Sequence, residues 1–140
     1  MKKQTLIGLC GLYLALGLAV IPASAQSGGV RARIPFNFVV NGRILPAGEY
    51  TMSANAHLVK IQGADHRVMA LVLADYASGH SAGNSGEIIF HCYGDFCLLS
   101  EIWSPVKSDG RKLDISRTEA ELKTQETRKY FAVLGEGPRE

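Results

Sequence analysis

The chain has 140 residues, 46% of them hydrophobic, with 15 basic and 13 acidic side chains and a formal net charge of +2. That excess is Lys2 plus Lys3, because 15 − 2 = 13 basic residues remain against the 13 acidic ones. A near-neutral chain without a basic run lacks the electrostatic footprint of a protein that binds nucleic acid or anionic lipid, so we expect neither as a partner.

The first 25 residues have the organisation of a secretory signal peptide. Lys2 and Lys3 precede an apolar run over residues 6–21, and Ala23-Ser24-Ala25 is an A-x-A cleavage site. A retained membrane anchor is the weaker alternative, because the run is short, contains glycine and ends in small residues instead of a charged stop. We therefore predict a signal peptide over residues 1–25, cleaved after Ala25. Residues 26–140 would then be one exported β-rich domain, periplasmic or extracellular, without a membrane span.

The mature chain opens with alternating apolar and polar residues from Arg31 to Val40, which predicts a strand with one face in the core. Pro35 cannot donate to a ladder, so this strand is expected to lie at an edge or to start late. Asn41-Gly42 predicts a type I′ turn. The segment Leu45-Pro46-Ala47-Gly48 predicts a second turn before the next strand.

Two further strands are predicted over residues 57–61 and 67–76. The second of them, RVMALVLADY, is apolar on both faces, which is typical of a central strand. Short strands separated by turn residues about every ten positions indicate an all-β fold. We predict a small antiparallel sandwich or partly open barrel with a short C-terminal helix.

Residues 77–86, ASGHSAGNSG, form a loop by composition and contain Gly79-His80-Ser81-Ala82-Gly83, a match to the G-x-S-x-G nucleophile elbow. The elbow needs a helix directly after its serine, whereas the next predicted strand follows this loop. His91 is the only histidine after Ser81, and Glu87 is the only carboxylate between them. A small serine-dependent hydrolase using the loop is therefore the alternative function and not the preferred one.

Residues 87–103, EIIFHCYGDFCLLSEIW, predict a β-hairpin with Gly94-Asp95 at the centre of a type II′ turn. If Tyr93 faces Phe96, then Cys92 faces Cys97 in a non-hydrogen-bonded pair, where opposite Cβ atoms come closest. Because an exported chain keeps such cysteines oxidised, we predict a disulfide between them. Two free thiols, or a metal site, are the disfavoured alternatives. The same register pairs His91 with Leu98 and Phe90 with Leu99.

The C-terminal part contains the capping box Ser116-Arg117-Thr118-Glu119, which predicts a helix from Arg117 to about Thr124. Glu119 and Lys123 are expected to form an i, i+4 pair on it. Leu122 is almost the only large apolar residue of this helix, so we expect it to lie on the domain as a charged lid; a partner-binding face is the alternative. Short strands are expected over residues 112–115 and 130–134.

The histidines and carboxylates give no metal-binding spacing. His91 and Cys92 are neighbours on a strand, so their side chains point to opposite faces and cannot share a metal. Surface or loop histidines with satisfied hydrogen bonds are expected. Asp75 and Glu101 could be paired carboxylates, but a strand-end charge and a solvated rim residue are the preferred interpretation. The four histidines are His57, His66, His80 and His91.

A set of short motifs, F-x-F, LPAGxY, FHxYGD and IW, spans most of the mature chain. They are Phe36 to Phe38, Leu45 to Tyr50, Phe90 to Asp95 and Ile102-Trp103. In this pattern the chain resembles a group of small exported bacterial β-domain proteins that are uncharacterised. The resemblance implies export and a compact β domain but no activity, because its motifs are turn and core residues. Cys92 and Cys97 occupy places where that group often has Arg and an aromatic residue, so the disulfide would be particular to this chain.

These features predict an exported, non-enzymatic β domain that serves as a binding or structural module of the envelope or the extracellular space. The expected partner is an envelope protein, a glycan or a second copy, bound through a sheet edge or face. No catalytic, metal-binding or cofactor-binding residue and no cofactor are assigned; the one assigned pair is Cys92 with Cys97. The alternative hydrolase would use Ser81 or a His/Asp pair in residues 77–86.

Overall fold

Proline and glycine divide this chain into short strands. The computed structural model describes residues 29–80, 83–105, 109–125 and 127–137, so the predicted signal peptide and Ser81 lie outside the described residues. The strands are β1 (Gly29–Ile34), β2 (Phe38–Val40), β3 (Arg43–Leu45), β4 (Gly48–Asn55), β5 (Leu58–Gly63), β6 (Val68–Ser78), β7 (Gly86–Tyr93), β8 (Phe96–Trp103), β9 (Asp109–Leu113) and β10 (Lys129–Gly135), and the helix is α1 (Arg117–Gln125).

The strands form one mixed sheet that is not closed. Its first part has the order β1-β4-β5-β6, and β6 continues into a second part with the order β6-β9-β8-β7-β10. The β2–β3 hairpin joins β8 through a single parallel bridge between Val39 and Leu98, whereas the other described ladders are antiparallel. One isolated bridge links β1 to the residue that follows β10, where Arg31 and Glu136 exchange backbone hydrogen bonds of 2.9 and 2.7 Å, and this bridge does not extend into a ladder. The predicted all-β, sandwich-like class with one short helix is confirmed.

Pro35 splits the first predicted strand in two. β1 ends at Ile34 and pairs with β4, whereas β2 begins at Phe38 and lies beside β8. The pyrrolidine ring removes a donor and fixes φ, so the ladder to β4 cannot continue through this position. Phe36 lies in the crossing segment and packs edge-on against Phe90, with ring centroids 5.1 Å apart. The proline thereby carries the chain from one part of the sheet to the other.

The predicted central strand is β6, and its environment differs from the prediction. Its first half pairs with β5 and its second half with β9, so β6 does join the two parts of the sheet. Only one of its faces is buried, however. Ala70 and Ala74 point into the core, whereas Leu71 and Leu73 are 51% and 69% exposed. Strand β6 is therefore apolar on both faces, although its outer face is exposed to solvent.

Aromatic rings connect the two parts of the sheet in the core. Phe38 packs edge-on against Tyr50 from the first part and Phe90 from the second, at centroid distances of 5.1 and 5.4 Å. Such pairs contribute about 0.5–1.5 kcal/mol each beyond their buried area. The Tyr50 hydroxyl donates to the carbonyl of Pro46 at 2.6 Å, and burial raises the pKa of Tyr50. The LPAGxY motif is thus a turn closed by its own tyrosine.

The two turns that we predicted from glycine are both present. Asn41 and Gly42 have φ values of 49° and 75°, the pair of positive angles that a type I′ turn requires. Gly94 has a φ of 56° and Asp95 has no positive φ, which agrees with the predicted type II′ turn. Local sequence therefore sets both hairpins.

Candidate binding site

The β7–β8 hairpin has the register that the sequence predicted. Tyr93 faces Phe96, Cys92 faces Cys97 and His91 faces Leu98. The sulfur atoms of Cys92 and Cys97 lie 2.02 Å apart, at disulfide distance. The register shifts between Ile89 and Phe90, where the ladder passes from Leu99 to Glu101. Beyond this bulge the pairing continues to Glu87 and Trp103.

The two faces of this hairpin are both buried, but by different elements. The inner face carries Ile88, Phe90 and Cys92 and belongs to the hydrophobic core. The outer face carries His91 and Tyr93, and both are buried. Because strand side chains alternate, these two residues point away from the core and toward helix α1.

Glu119 of α1 reaches this outer face and binds both residues. Its Oε1 atom lies 2.6 Å from Nδ1 of His91 and accepts a 3.2 Å hydrogen bond from the Tyr93 hydroxyl. His91 is 6% exposed and Glu119 is 5% exposed, so the pair is withdrawn from water. The expectation that His91 is a surface or loop histidine is wrong. The physical reason is that α1 covers the outer face of β7.

The capping box is half confirmed. Ser116 Oγ accepts the backbone N–H of Glu119 at 3.1 Å, as an N-cap residue should. The Glu119 carboxylate does not make the reciprocal hydrogen bond of a capping box, and it does not form the predicted ion pair with Lys123. It binds His91 instead. The i, i+4 ion pair on this helix joins Arg117 and Glu121, 3.6 Å apart and exposed.

Glu119, His91 and Tyr93 form a buried cluster that we call the Glu119 cluster. Its surroundings keep Tyr93 protonated. Burial and the neighbouring Glu119 carboxylate raise the pKa of Tyr93, and Arg128 opposes this shift. The ring of Tyr130 packs edge-on against His91 at a centroid distance of 5.1 Å. The guanidinium of Arg128 lies 4.7 Å from the centre of the Tyr130 ring. Strand β10 therefore contributes the side wall of the cluster.

A cavity of about 240 Å³ opens beside Glu119. It lies beyond the end of β9 at Leu113, where β2 replaces β9 as the neighbour of β8 through the bridge between Val39 and Leu98. Glu119, Ser116, Asp114 and Asn41 supply its polar groups. Its apolar wall consists of Val39, Val72, Leu73, Leu98, Leu99, Leu113 and Ile115. This cavity and its carboxylate are the candidate site.

The sequence does not predict this site directly, although it contains a signal for it. Glu119 and His91 are 28 positions apart, and no local pattern predicts their contact. The helix has only Leu122 as a large apolar residue, yet a helix must bury something to stay on a sheet. Two polar residues alternate on the neighbouring strand, at positions 91 and 93. A helix that lacks an apolar stripe, together with a strand that has polar side chains on one face, indicates that the helix packs on the strand through polar contacts.

A second polar cluster lies at the other end of the hairpin. His80 Nε2 is 2.5 Å from Oε2 of Glu87, and the His80 ring packs against Trp103 at a centroid distance of 4.9 Å. Trp103 donates its indole N–H to Glu101 at 2.9 Å. Glu101 is therefore no solvated rim residue, because it binds the tryptophan and lies 3.6 Å from Lys112.

The remaining predicted residues are dispersed. Asp75 lies 3.8 Å from His57 at an exposed position, and Glu101 binds elsewhere, so these two carboxylates do not pair with each other. Within the described ranges, no three His, Cys, Asp or Glu side chains are grouped so that they could hold a metal ion. Over the same ranges, no helix has the length and apolar character needed to cross a membrane.

No protein-family model matches the chain, and no curated protein or solved structure gives a significant match. The functional conclusion therefore rests on the geometry of the cavity and its neighbours.

Proposed function

We propose that this protein is an exported, non-enzymatic binding module of the bacterial envelope or the extracellular space. The observation that carries the proposal is the cavity beside Glu119. A concave site with apolar walls and a few fixed polar groups is the usual composition of a binding site. The exposed side chains of Leu71 and Leu73 extend its apolar surface along β6.

The chemistry of the cavity supports binding more than catalysis. The imidazole of His91 and the hydroxyl of Tyr93 both point to Glu119. Among the described residues that line the cavity, Ser116 supplies the one hydroxyl, and this residue caps helix α1. A nucleophile needs an adjacent base to be activated, whereas the hydrogen bond described for the Ser116 hydroxyl is to the backbone N–H of Glu119 and not to a carboxylate. The carboxylate is positioned to hold a ligand in place.

The experiment is a pull-down from an envelope extract with matched surface variants. Leu73→Arg places a charge at the rim of the cavity, where the residue is 69% exposed and the fold should tolerate the change. Leu134→Arg changes a leucine on β10 that is 70% exposed and does not line this cavity. Proteins retained by the wild type should be lost with Leu73→Arg and kept with Leu134→Arg. Equal retention by both variants would refute the cavity as the binding site.

Export is the second part of the proposal. It is supported by the A-x-A site at Ala23-Ser24-Ala25 and by the two cysteines at disulfide distance, since disulfides persist in oxidising compartments. N-terminal sequencing of the exported protein should give Gln26 as the first residue. A retained Met1 in a membrane fraction contradicts this proposal.

The alternative is a small serine-dependent hydrolase, and one contact favours it. His80 precedes Ser81 and is held by Glu87, as a catalytic histidine is held by its carboxylate. The preferred proposal expects Ser81→Ala to leave any turnover of generic esters unchanged, because the strand β7 follows where an elbow needs a helix. Esterase activity that disappears in Ser81→Ala would establish the alternative.

A further inference from the structure

We propose that the cavity beside Glu119 receives a lysine or arginine side chain of an extended partner segment, which pairs with the open edge of β6. This inference rests on the proposed binding function and specifies the chemistry of the partner. It joins three features: the charge of the lining residues, the size of the cavity and an unpaired stretch of strand.

The charged side chains among the described residues that line the cavity are all acidic. Glu119 and Asp114 line it, and none of the described lining residues is Lys, Arg or His. Both hydrogen bonds described for Glu119 are accepted by Oε1, which leaves Oε2 for a ligand. His91 and Tyr93 hold the carboxylate in place, so it need not reorganise on binding. A cationic group is the complement of this arrangement.

The size of the cavity suits one long side chain. Its volume of about 240 Å³ is below the range of roughly 300–1,000 Å³ typical of sites for drug-sized ligands. Lysine and arginine combine an aliphatic stem with a charged end, so the stem can lie along apolar residues while the charge reaches a carboxylate. Val72 and Leu113 are placed to contact the stem, with Glu119 at the charged end.

The open edge of β6 supplies the backbone partner. The N–H of Ala74 donates to the carbonyl of His57 on the β5 side at 2.9 Å. Peptide groups alternate along a strand, so the backbone of Leu71 points away from β5. The ladder to β9 starts only at Ala74, and the residues from Val68 to Leu73 have β5 as their one strand partner among the described residues. An extended segment can add to such an edge.

The test measures binding of capped heptapeptides Thr-Val-Thr-Lys-Thr-Val-Thr, labelled with an uncharged dye, to the exported protein by fluorescence anisotropy. Matched peptides carry norleucine or Glu in place of Lys. The Lys peptide should bind about ten- to a hundredfold more tightly than the norleucine peptide, the range expected of a hydrogen bond to a charged group. Salt should narrow the difference, and the Glu peptide should bind most weakly.

Protein variants locate the effect. Asp114→Asn and Glu119→Gln should each reduce the preference for Lys over norleucine, whereas Glu121→Gln, an exposed carboxylate on the same helix outside the cavity, should leave it unchanged. Leu71→Pro removes a backbone donor from the open edge and should weaken all peptides equally. Asp114 is exposed, so its variant keeps the test valid even if Glu119→Gln loosens the helix.

Equal binding of the Lys and norleucine peptides would overturn the inference. So would binding of n-butylamine without binding of any peptide, because the site would then take small amines and not a strand. Either result leaves the proposed binding function standing as long as Leu73→Arg still abolishes partner retention. Loss of that difference between Leu73→Arg and Leu134→Arg would refute the proposed function itself.

Discussion

Glu119 attaches helix α1 to the sheet with a carboxylate in place of an apolar stripe. It is the buried residue of the helix, while Leu122 is only half-buried. A hydrogen bond between two buried polar or charged groups tightly restrains their relative position, because breaking it leaves an unsatisfied buried group. The position of the helix, and with it one wall of the cavity, therefore depends on a single side chain.

Glu119→Ala should destabilise the protein by about 3–5 kcal/mol, because it leaves His91 and Tyr93 buried without their acceptor. Urea unfolding followed by circular dichroism measures both the midpoint and the loss of helix signal. Glu121→Ala, which breaks the exposed pair with Arg117, should cost no more than about 0.5 kcal/mol. Equal effects of the two substitutions would show that the buried contact does not hold the helix.

Gly110 on β9 lies directly under the ring of Trp103. A Cβ atom there would come within 2.4 Å of the indole, so Gly110→Ala should displace Trp103 and cost about 1–3 kcal/mol. The tryptophan is the only one in the chain, and its fluorescence should shift as it moves. Gly48→Ala is the control, since a Cβ at that position would meet the Tyr50 ring at an ordinary 3.7 Å. An unchanged emission spectrum in Gly110→Ala would contradict the packing described.

At the scale of elements, the β7–β8 hairpin is the part that the two cysteines stiffen. The masses of the non-reduced and reduced protein, measured by mass spectrometry, should differ by two hydrogen atoms, the change expected for one disulfide. The bond closes a loop of only six residues, which gives roughly 2 kcal/mol in the chain-entropy model. The double variant Cys92→Ser, Cys97→Ser should therefore lower the melting temperature by about 8 °C, at the roughly 4 °C per kcal/mol expected of a domain of about 115 residues. Free alkylation of both thiols in exported protein would refute the bond.

The hairpin was predictable because its information is local. Gly94-Asp95 fixes the turn, the turn fixes the register, and the register places Cys92 opposite Cys97. For Pro35 the sequence predicted only that the strand lies at an edge or starts late. A proline indicates where a ladder is interrupted, but it does not indicate which strand the chain pairs with afterwards. The local sequence pattern predicts whether a segment is a strand, a turn or a helix, whereas tertiary packing determines which strand it pairs with.

The candidate site was not predictable in the same way. The contact between His91 and Glu119 joins elements 28 positions apart, and the cavity exists because β9 ends at Leu113, two residues before the predicted end of that strand. The exposure of Leu71 and Leu73 also contradicts the simplest interpretation of an apolar run. Each of these features depends on which face a distant element covers, and periodicity carries no information on that.

At the scale of the whole molecule, buried tyrosines in both parts of the sheet couple stability to alkaline pH. Burial raises the pKa of Tyr50, and burial with the Glu119 carboxylate raises the pKa of Tyr93. Below about pH 10 both residues are protonated in folded and unfolded chains, so their contribution is fully present. Above it the unfolded chain ionises first, so stability falls as the pH rises through the folded pKa values.

Tyr93→Phe should lower stability at pH 7 by about 1–3 kcal/mol, because it removes the hydrogen bond to Glu119, and should make the loss above pH 10 shallower. Urea midpoints at pH 7, 10 and 11 measure both effects. Tyr76→Phe changes a tyrosine that is 60% exposed and serves as the control, with the wild-type slope expected. A slope in Tyr93→Phe as steep as that of the wild type would show that Tyr93 does not contribute.

The bridge between Arg31 and Glu136 has a consequence for the connectivity of the chain. Two backbone hydrogen bonds hold β1 beside the end of β10, so the two ends of the described fold are neighbours in space. A short linker could join them, and new termini could be opened among the exposed residues 83–85 between β6 and β7. Such a circular permutant keeps every strand in its place, because the order of strands in the sheet does not depend on which loop is cut.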